Sequence, residues 1–267
     1  MTQTVPYWHV DAFASTLFGG NQAAVMLLEE WPDDAVLQAV GAENNFAETA
    51  FVVRDASGAA DWELRWFTPT SEVALCGHAT LASGHVLLGE HGGERVSFRT
   101  RRSGLLEVRR DGRGYALDLP VTRVERRDDP ALLAALRCEG EVFHSVSGAE
   151  ATAIVLLPDE AAVRALDPDM RALAGIDLMA ICTAPGTAHD VVSRVFVPAW
   201  GVDEDSVTGS AHAALTPFWA ERLGRGSFTA HQASRRGGDL TCRLEGDRAW
   251  IGGGCVTVVE GRFYLAG

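Results

Sequence analysis

Apolar positions along the chain fall mostly in short runs with partial two-residue alternation, the period of strands with one buried face. The first half predicts strands at Val5–Phe13, Thr49–Arg54, Asp61–Phe67, Val96–Thr100, Leu105–Arg110 and Tyr115–Leu119, with Asp111-Gly112-Arg113-Gly114 as a hairpin turn. The second half predicts Ala153–Leu157, Leu178–Thr183, Asp190–Phe196, Leu240–Glu245, Arg248–Gly252, Val256–Val259 and Arg262–Leu265. Turns at Glu245-Gly246-Asp247 and Glu260-Gly261 are expected among the last of these. Helical patterning is rarer. Asp33–Glu43 has acidic residues in its first turn, where they suit the helix dipole, and Pro158–Ala165 and Pro168–Ala174 read as short helices.

Two further helices differ in kind. His78–Glu90 carries Ala79, Leu81, Ala82, Val86, Leu87 and Leu88, and Ser210–Leu223 carries Ala211, Ala213, Ala214, Leu215, Phe218 and Trp219. Apolar side chains around so much of the circumference place such helices inside a surrounding sheet. Each follows the same pattern. Arg65-Trp66-Phe67-Thr68-Pro69 leads through a loop to Cys76-Gly77-His78-Ala79, and Arg194-Val195-Phe196-Val197-Pro198 leads through a longer one to Thr208-Gly209-Ser210-Ala211. An R-x-F-x-P segment, a loop and a glycine opening a helix thus recur about half a chain apart, predicting an α+β protein built from two similar β-rich halves. The halves are expected at 1–120, joined by a C-terminal strand at about 256–267, and at 121–255.

Composition narrows the chemistry. All 23 basic residues are arginine, so a lysine Schiff base, a biotinyl or lipoyl attachment and the G-x-x-x-x-G-K-[ST] phosphate loop are all excluded. A net charge of −13 argues against a nucleic-acid partner. No stretch approaches the roughly 20 apolar residues of a membrane span, and the N-terminus has no signal-peptide pattern, so a cytoplasmic protein is expected. The five cysteines contain no C-x-x-C and the eight histidines no H-E-x-x-H. G-x-G-x-x-G and G-x-S-x-G are missing as well, so neither a metal nor an organic cofactor is expected.

The glycines at the helix starts, Gly77 and Gly209, allow close approach to backbone N–H groups at the positive end of each dipole, an arrangement suited to an anion. Around them stand Cys76, His78, Asp205, Thr208, Ser210 and His212, and upstream Asn44-Asn45-Phe46-Ala47-Glu48-Thr49 sets a carboxylate at the start of a strand. On spacing alone, Glu48 also reads as a solvated edge residue, His78 and His212 as structural histidines, Cys76 as a small packing residue and Arg235-Arg236 as a solvated pair.

The segments GGNQAAV (19–25), NNFAETAFV (44–52), FTPTSEVALCGHATLA (67–82), EDSVTGSAH (204–212) and QASRRGG (232–238) resemble the phenazine-biosynthesis PhzF family, in order and spacing, from about Asp11 onward. The resemblance implies the diaminopimelate epimerase-like fold, with two pseudo-symmetric halves, each a sheet rolled around a central helix, and an active site between them. It also implies a homodimer acting without cofactor on a small carboxylate-bearing substrate. In the family's type reaction, trans-2,3-dihydro-3-hydroxyanthranilate is isomerised by proton relocation. Carried over by motif, Glu48 is the acid/base, His78 and Asp205 assist proton movement, and Gly77, Gly209, Ser210 and Thr208 bind substrate. Gln22 and Ser206 depart from the family's GNPAAV and EDPVTGSA. Racemases of the same fold use two thiols, but here Cys76 is matched by Thr208, a poor base. An amino-acid epimerase or a hydroxyproline-type dehydratase, the latter needing only one thiol, and a non-catalytic binding protein of the same fold are the alternatives.

Overall fold

The computed structural model describes residues 3–147 and 151–265; residues 1–2, 148–150 and 266–267, which the expected halves include, lie outside the described residues. The chain forms two units, Met1–Asp118 with Gly252–Gly267, and Leu119–Ile251.

The first unit runs β1 (Gln3–Ala12), β2 (Asn21–Leu27), α1 (Asp34–Asn44), β3 (Glu48–Arg54), β4 (Trp62–Phe67), β5 (Glu72–Val73), α2 (Gly77–His91), β6 (Arg95–Thr100), β7 (Leu105–Asp111) and β8 (Gly114–Pro120), which ends at the unit boundary. β1 pairs antiparallel with β2, β2 pairs parallel with β3, and β3 pairs antiparallel with β4. β4 then pairs antiparallel with β5 and parallel with β6, and β6–β7–β8 continue antiparallel.

In the second unit the order is β9 (Val124–Arg126), α3 (Pro130–Leu136), β10 (Glu141–Ser145), β11 (Thr152–Leu156), α4 (Glu160–Arg164), α5 (Met170–Leu173), β12 (Met179–Pro185), β13 (Val191–Val197), β14 (Val202–Asp205), α6 (Gly209–Leu223), β15 (Ser227–Gln232) and β16 (Gly238–Glu245). β17 (Arg248–Gly253) reaches the boundary, and β18 (Cys255–Leu265) belongs to the first unit. The pairing pattern repeats strand for strand. β10–β11 is antiparallel, β11–β12 parallel, β12–β13 and β13–β14 antiparallel, β13–β15 parallel and β15–β16 antiparallel.

The repeated R-x-F-x-P segments form equivalent structures. Arg65 makes a two-pronged pair with Glu72, Nε to Oε1 at 2.8 Å and an Nη to Oε2 at 2.9 Å. Arg194 does the same with Glu204, at 2.7 and 3.0 Å. Each guanidinium also stands over the phenylalanine two residues on, 5.0 Å from the Phe67 ring centre and 4.9 Å from that of Phe196. Fork-to-fork pairs of this kind fix direction as well as distance, so each aims the strand that leads into its buried helix.

α2 packs against β1, β2, β3, β6 and β7 and touches β18, strands from both ends of the pairing order, so the sheet curls around it. From Gly77 to Leu88 only His85 escapes burial. At Gly84 a Cβ would lie 2.3 Å from Val108 Cγ1 and 2.6 Å from Val108 Cβ, so the glycine sets how closely helix and sheet approach. α6 occupies the matching place in its unit. Trp219 Nε1 donates to Thr183 Oγ1 of β12 at 3.1 Å, and Phe218 meets Phe143 of β10 edge-on at 5.1 Å.

One expected turn is absent. Glu260 and Gly261 lie inside the continuous strand β18, opposite Trp8 and Tyr7 of β1, and the irregularity falls instead at a register shift between His9 and Val10. A long ladder to β1 outweighs the local preference of one glycine. β2, β5, β9, β10, β14, β15 and α3 are additions to the elements that the patterning predicts. α3 starts on a clear local signal, with Pro130 in its first turn and Asp129 Oδ1 accepting from Leu132 N at 3.0 Å. Among the described residues, no helix is long and apolar enough to cross a membrane.

His212, on the buried face of α6, is wholly enclosed; Nδ1 donates to the Thr208 carbonyl at 2.8 Å, and Nε2 is buried with no hydrogen-bond partner among the described residues. Burial lowers its pKa to about 4, against the weaker opposing effect of the Thr208 bond. The imidazole is therefore neutral in the native state, a packing role.

Both features of this core can be tested by unfolding. Gly84→Ala should cost about 1–3 kcal/mol in urea unfolding despite its better helix propensity, and Val108→Ala in the same chain should recover part of that loss. No loss in the single variant would contradict the close approach. For His212, the unfolded chain takes up a proton near the ordinary value of 6.5, while the native chain resists until about 4. Stability from this group is thus complete above about pH 6.5 and is lost as pH falls towards 4, by about 3 kcal/mol. His212→Gln should flatten the pH dependence of urea unfolding across that window; an unchanged slope would overturn the assignment.

Candidate functional site

In the first unit, α1 ends at Asn45 in a left-handed conformation, with its N–H returning to the Gly41 carbonyl, and three residues later Glu48 opens β3. Asn44 Nδ2 donates to Thr49 Oγ1 at 3.0 Å, and Phe46 stacks on His9 at 4.3 Å between ring centres, so the short connection is held on both sides. β3 pairs with β2 at Ala23 and Glu48, which sets the carboxylate beside the start of β2.

α2 starts at Gly77 without a hydrogen bond from a capping side chain, and His78 is its second residue. His78 Nε2 lies 3.1 Å from Glu48 Oε2, their side chains 5% and 17% exposed. Oε2 sits off the line of a hydrogen bond and has no such partner among the described residues, so it is a buried oxygen with lone pairs to spare. On the other side of the ring, Asn21 Nδ2 is 3.2 Å from Nδ1 and Cys76 Sγ is 3.5 Å from the same atom.

Burial opposes charge on His78; an ionised Cys76 sulfur and the Glu48 carboxylate both raise its pKa above that of an ordinary histidine, and at neutral pH, where the thiol is protonated, Glu48 supplies that effect. Burial, reinforced by Glu48, pushes the Cys76 thiol up to about 12. At neutral pH this leaves an imidazolium beside a carboxylate, and a thiol that keeps its proton. Glu48, Cys76 and His78 offer oxygen, sulfur and nitrogen within 4.8 Å of one another, so a metal fits them geometrically, but it would have to displace the protons on both sulfur and imidazole.

In the second unit, Asp205 ends β14 and Thr208 precedes α6, whose first two residues are Gly209 and Ser210. Thr208 Oγ1 donates to Asp205 Oδ2 at 2.5 Å, so the hydroxyl is committed to the carboxylate and does not cap its helix. Gln232, fully buried at the end of β15, clamps this loop. Its Oε1 accepts from Thr208 N at 2.8 Å and its Nε2 donates to the Asp205 carbonyl at 2.8 Å. Ser234 Oγ adds a bond to the Ser206 carbonyl at 2.6 Å. The loop is therefore held by side chains where Ser206 replaces the rigid proline. Ser210 is half-buried, Gly209 is buried and Arg235 is exposed.

Glu48, Gly77 and His78 are thus assembled in one unit, and Asp205, Thr208, Gly209 and Ser210 in the other. Asn21 and Gln232 join them as site residues that the motifs alone do not single out, although both stand inside the family-like segments. A large amide buried at a strand end demands partners, but no spacing pattern marks either residue in advance.

The sequence matches the family described as phenazine biosynthesis-like protein over residues 10–261. An uncharacterised isomerase of Pseudomonas aeruginosa is 47% identical over 263 residues, covering 97% of this chain and 98% of that protein. The crystal structure of a PhzF-family phenazine biosynthesis protein from Enterococcus faecalis superposes with a TM-score of 0.89 at 41% identity, covering 98% of this chain and all of that one. A hydroxyproline epimerase from Agrobacterium vitis, solved with trans-4-hydroxy-L-proline, shares the fold at a TM-score of 0.66 and 16% identity, covering 98% of this chain and 93% of that one. The chain therefore belongs to the phenazine biosynthesis-like PhzF family, as an isomerase with the α+β, diaminopimelate epimerase-like fold.

Proposed function

We propose that the protein relocates a proton on a small, conjugated, carboxylate-bearing substrate, with Glu48 as the single acid/base. The observation that carries this is the Oε2 atom of Glu48, buried without a hydrogen-bond partner and 3.1 Å from a histidine that is held charged. In the first step a substrate C–H bond breaks, its electron pair moves into the conjugated system, and the proton goes to Glu48. In the second, Glu48 returns the proton to another carbon of the same system. The Glu48 carboxylate performs both steps, so the reading needs no cofactor.

His78 has two tasks here. Its positive charge offsets that of the carboxylate which must act as the base. It also adds positive potential to the start of α2, where backbone N–H groups face an anion and its developing charge. Asp205, Thr208 and Ser210 are assigned to holding substrate and assisting proton movement, with Gly209 N–H as a second anion contact. A cytoplasmic homodimer is the working form we infer from the family resemblance.

The epimerase and dehydratase readings are weakened by two observations. Cys76 keeps its proton up to about pH 12, and Thr208 gives its only hydroxyl proton to Asp205. Proton NMR in D2O on a panel of small unsaturated acids, including trans-2,3-dihydro-3-hydroxyanthranilate, separates the readings. Glu48→Gln should lower deuterium incorporation at least about 100-fold while leaving ligand-induced thermal stabilisation in place, and Cys76→Ser should retain most of the rate. Wild-type turnover in Glu48→Gln, or its loss in Cys76→Ser, would overturn the assignment.

A further inference from the structure

A second cluster of ligand-bearing side chains lies in the second unit, and the proton chemistry leaves it unused. His231 on β15 and Asp239 on β16 are direct cross-strand partners, and His189 arrives from the turn between β12 and β13. His231 Nδ1 is 2.6 Å and His189 Nε2 is 3.3 Å from the same atom, Asp239 Oδ1. The two imidazole rings stack at 5.3 Å with only 22° between their planes, and the three donor atoms lie within 4.8 Å of one another. The side chains are 30%, 24% and 60% exposed for His189, His231 and Asp239, so an ion from solution can reach them.

From these residues we infer a binding site for one divalent ion of borderline softness, of the zinc, nickel or cobalt type. Two imidazoles and one carboxylate form a donor set that suits such ions and not calcium or magnesium, which prefer all-oxygen shells. Ligands bound at about 2.1 Å in tetrahedral geometry stand about 3.4 Å apart. The His189–Asp239 spacing already meets this, and the His231–Asp239 pair opens by under about 1 Å, within reach of side-chain rotation.

The framework behind each ligand is fixed, which keeps the ordering cost of binding low. His231 and Asp239 stand on paired strands. The turn that carries His189 is closed by Gly186 N to the Asp190 carbonyl at 3.0 Å, and Asp190 is in turn anchored by Thr229 N at 2.8 Å. At Gly237, φ +68°, a Cβ would lie 3.4 Å from His231 Cε1, so the turn into β16 passes beside this ring. His231 also precedes Gln232, so an ion here would stiffen the strand that clamps the Asp205–Thr208 loop.

The test is a calorimetric titration of the tag-free full chain with Zn2+ alone, repeated on His189→Ala, His231→Ala, Asp239→Asn and Cys76→Ser, with circular dichroism to establish folding. The expected result is one saturable zinc per chain, weakened at least about 10-fold in His189→Ala, His231→Ala and Asp239→Asn and unchanged in Cys76→Ser. Co2+ in place of zinc should give ligand-field bands without thiolate charge transfer. His189→Ala alters an exposed turn, so it keeps the test open if either strand variant misfolds. No saturable zinc binding, or binding lost in Cys76→Ser and retained in His189→Ala, would show that these imidazoles only hydrogen-bond the carboxylate.

Discussion

A buried histidine set 3.1 Å from a glutamate carboxylate, with burial opposing its charge and the carboxylate favouring it, is the interaction on which the proposed chemistry of the first unit depends. Either charge alone would be expensive to bury, and removing one partner would strand the other. Together, His78 and Glu48 settle which strand register, which helix start and which loop length the unit can accept. Asn45 ends α1 so that β3 begins at Glu48, and Ala23 of β2 lies opposite it. Asn21 stands two residues before Ala23, beside the far nitrogen of the ring. Asn21 presents Nδ2 to Nδ1 at 3.2 Å, so a proton on Nδ1 requires the amide to turn about χ2 and offer its oxygen instead. Burial and the nearby carboxylate also keep Cys76 protonated, which is why a carboxylate and not a thiol carries the proton in the proposed reaction.

The second unit repeats the scaffold and changes the chemistry. Its strand pairing, its Arg–Glu fork and its arginine over phenylalanine reproduce those of the first unit, yet the thiol position carries a threonine and the second residue of the helix a serine. One scaffold, used twice, delivers two helix N-termini with different flanking groups: a histidine beside a glutamate at one, and hydroxyls organised by Asp205 and Gln232 at the other. Three hydrogen bonds from Gln232 and Ser234 restrain the segment from Asp205 to Thr208.

Much of this architecture is legible in the sequence. The two buried helices stand out because their apolar residues surround the axis, and they run Gly77–His91 and Gly209–Leu223, within a residue of the expected starts. The R-x-F-x-P repeat points to the internal duplication because it marks a structural device, the Arg–Glu fork. The acidic member of that fork lies at a different distance in each half and so leaves no repeat of its own. Strands made of small or polar residues are hidden. β2 (NQAAVML) and β15 (SFTAHQ) bury amides and alanines whose role is set by partners far away in sequence. Local signals also mislead at Gly261, where a long cross-strand ladder overrides a turn preference. The same non-locality hides Asn21 and Gln232: a side chain that acts on a distant ring or loop leaves no spacing pattern behind.

Whether the His78–Glu48 pair organises the site turns on the charge state of His78. Nitrogen-15 NMR of histidine-labelled protein, titrated through neutral and alkaline pH, reads it without any substrate. His78 should remain an imidazolium well above the pH at which ordinary histidines lose their proton. Glu48→Gln should bring that titration down, because the carboxylate no longer opposes the cost of burial. A wild-type His78 that titrates at or below the ordinary histidine range, or one that Glu48→Gln leaves unmoved, would contradict the organising role of this pair.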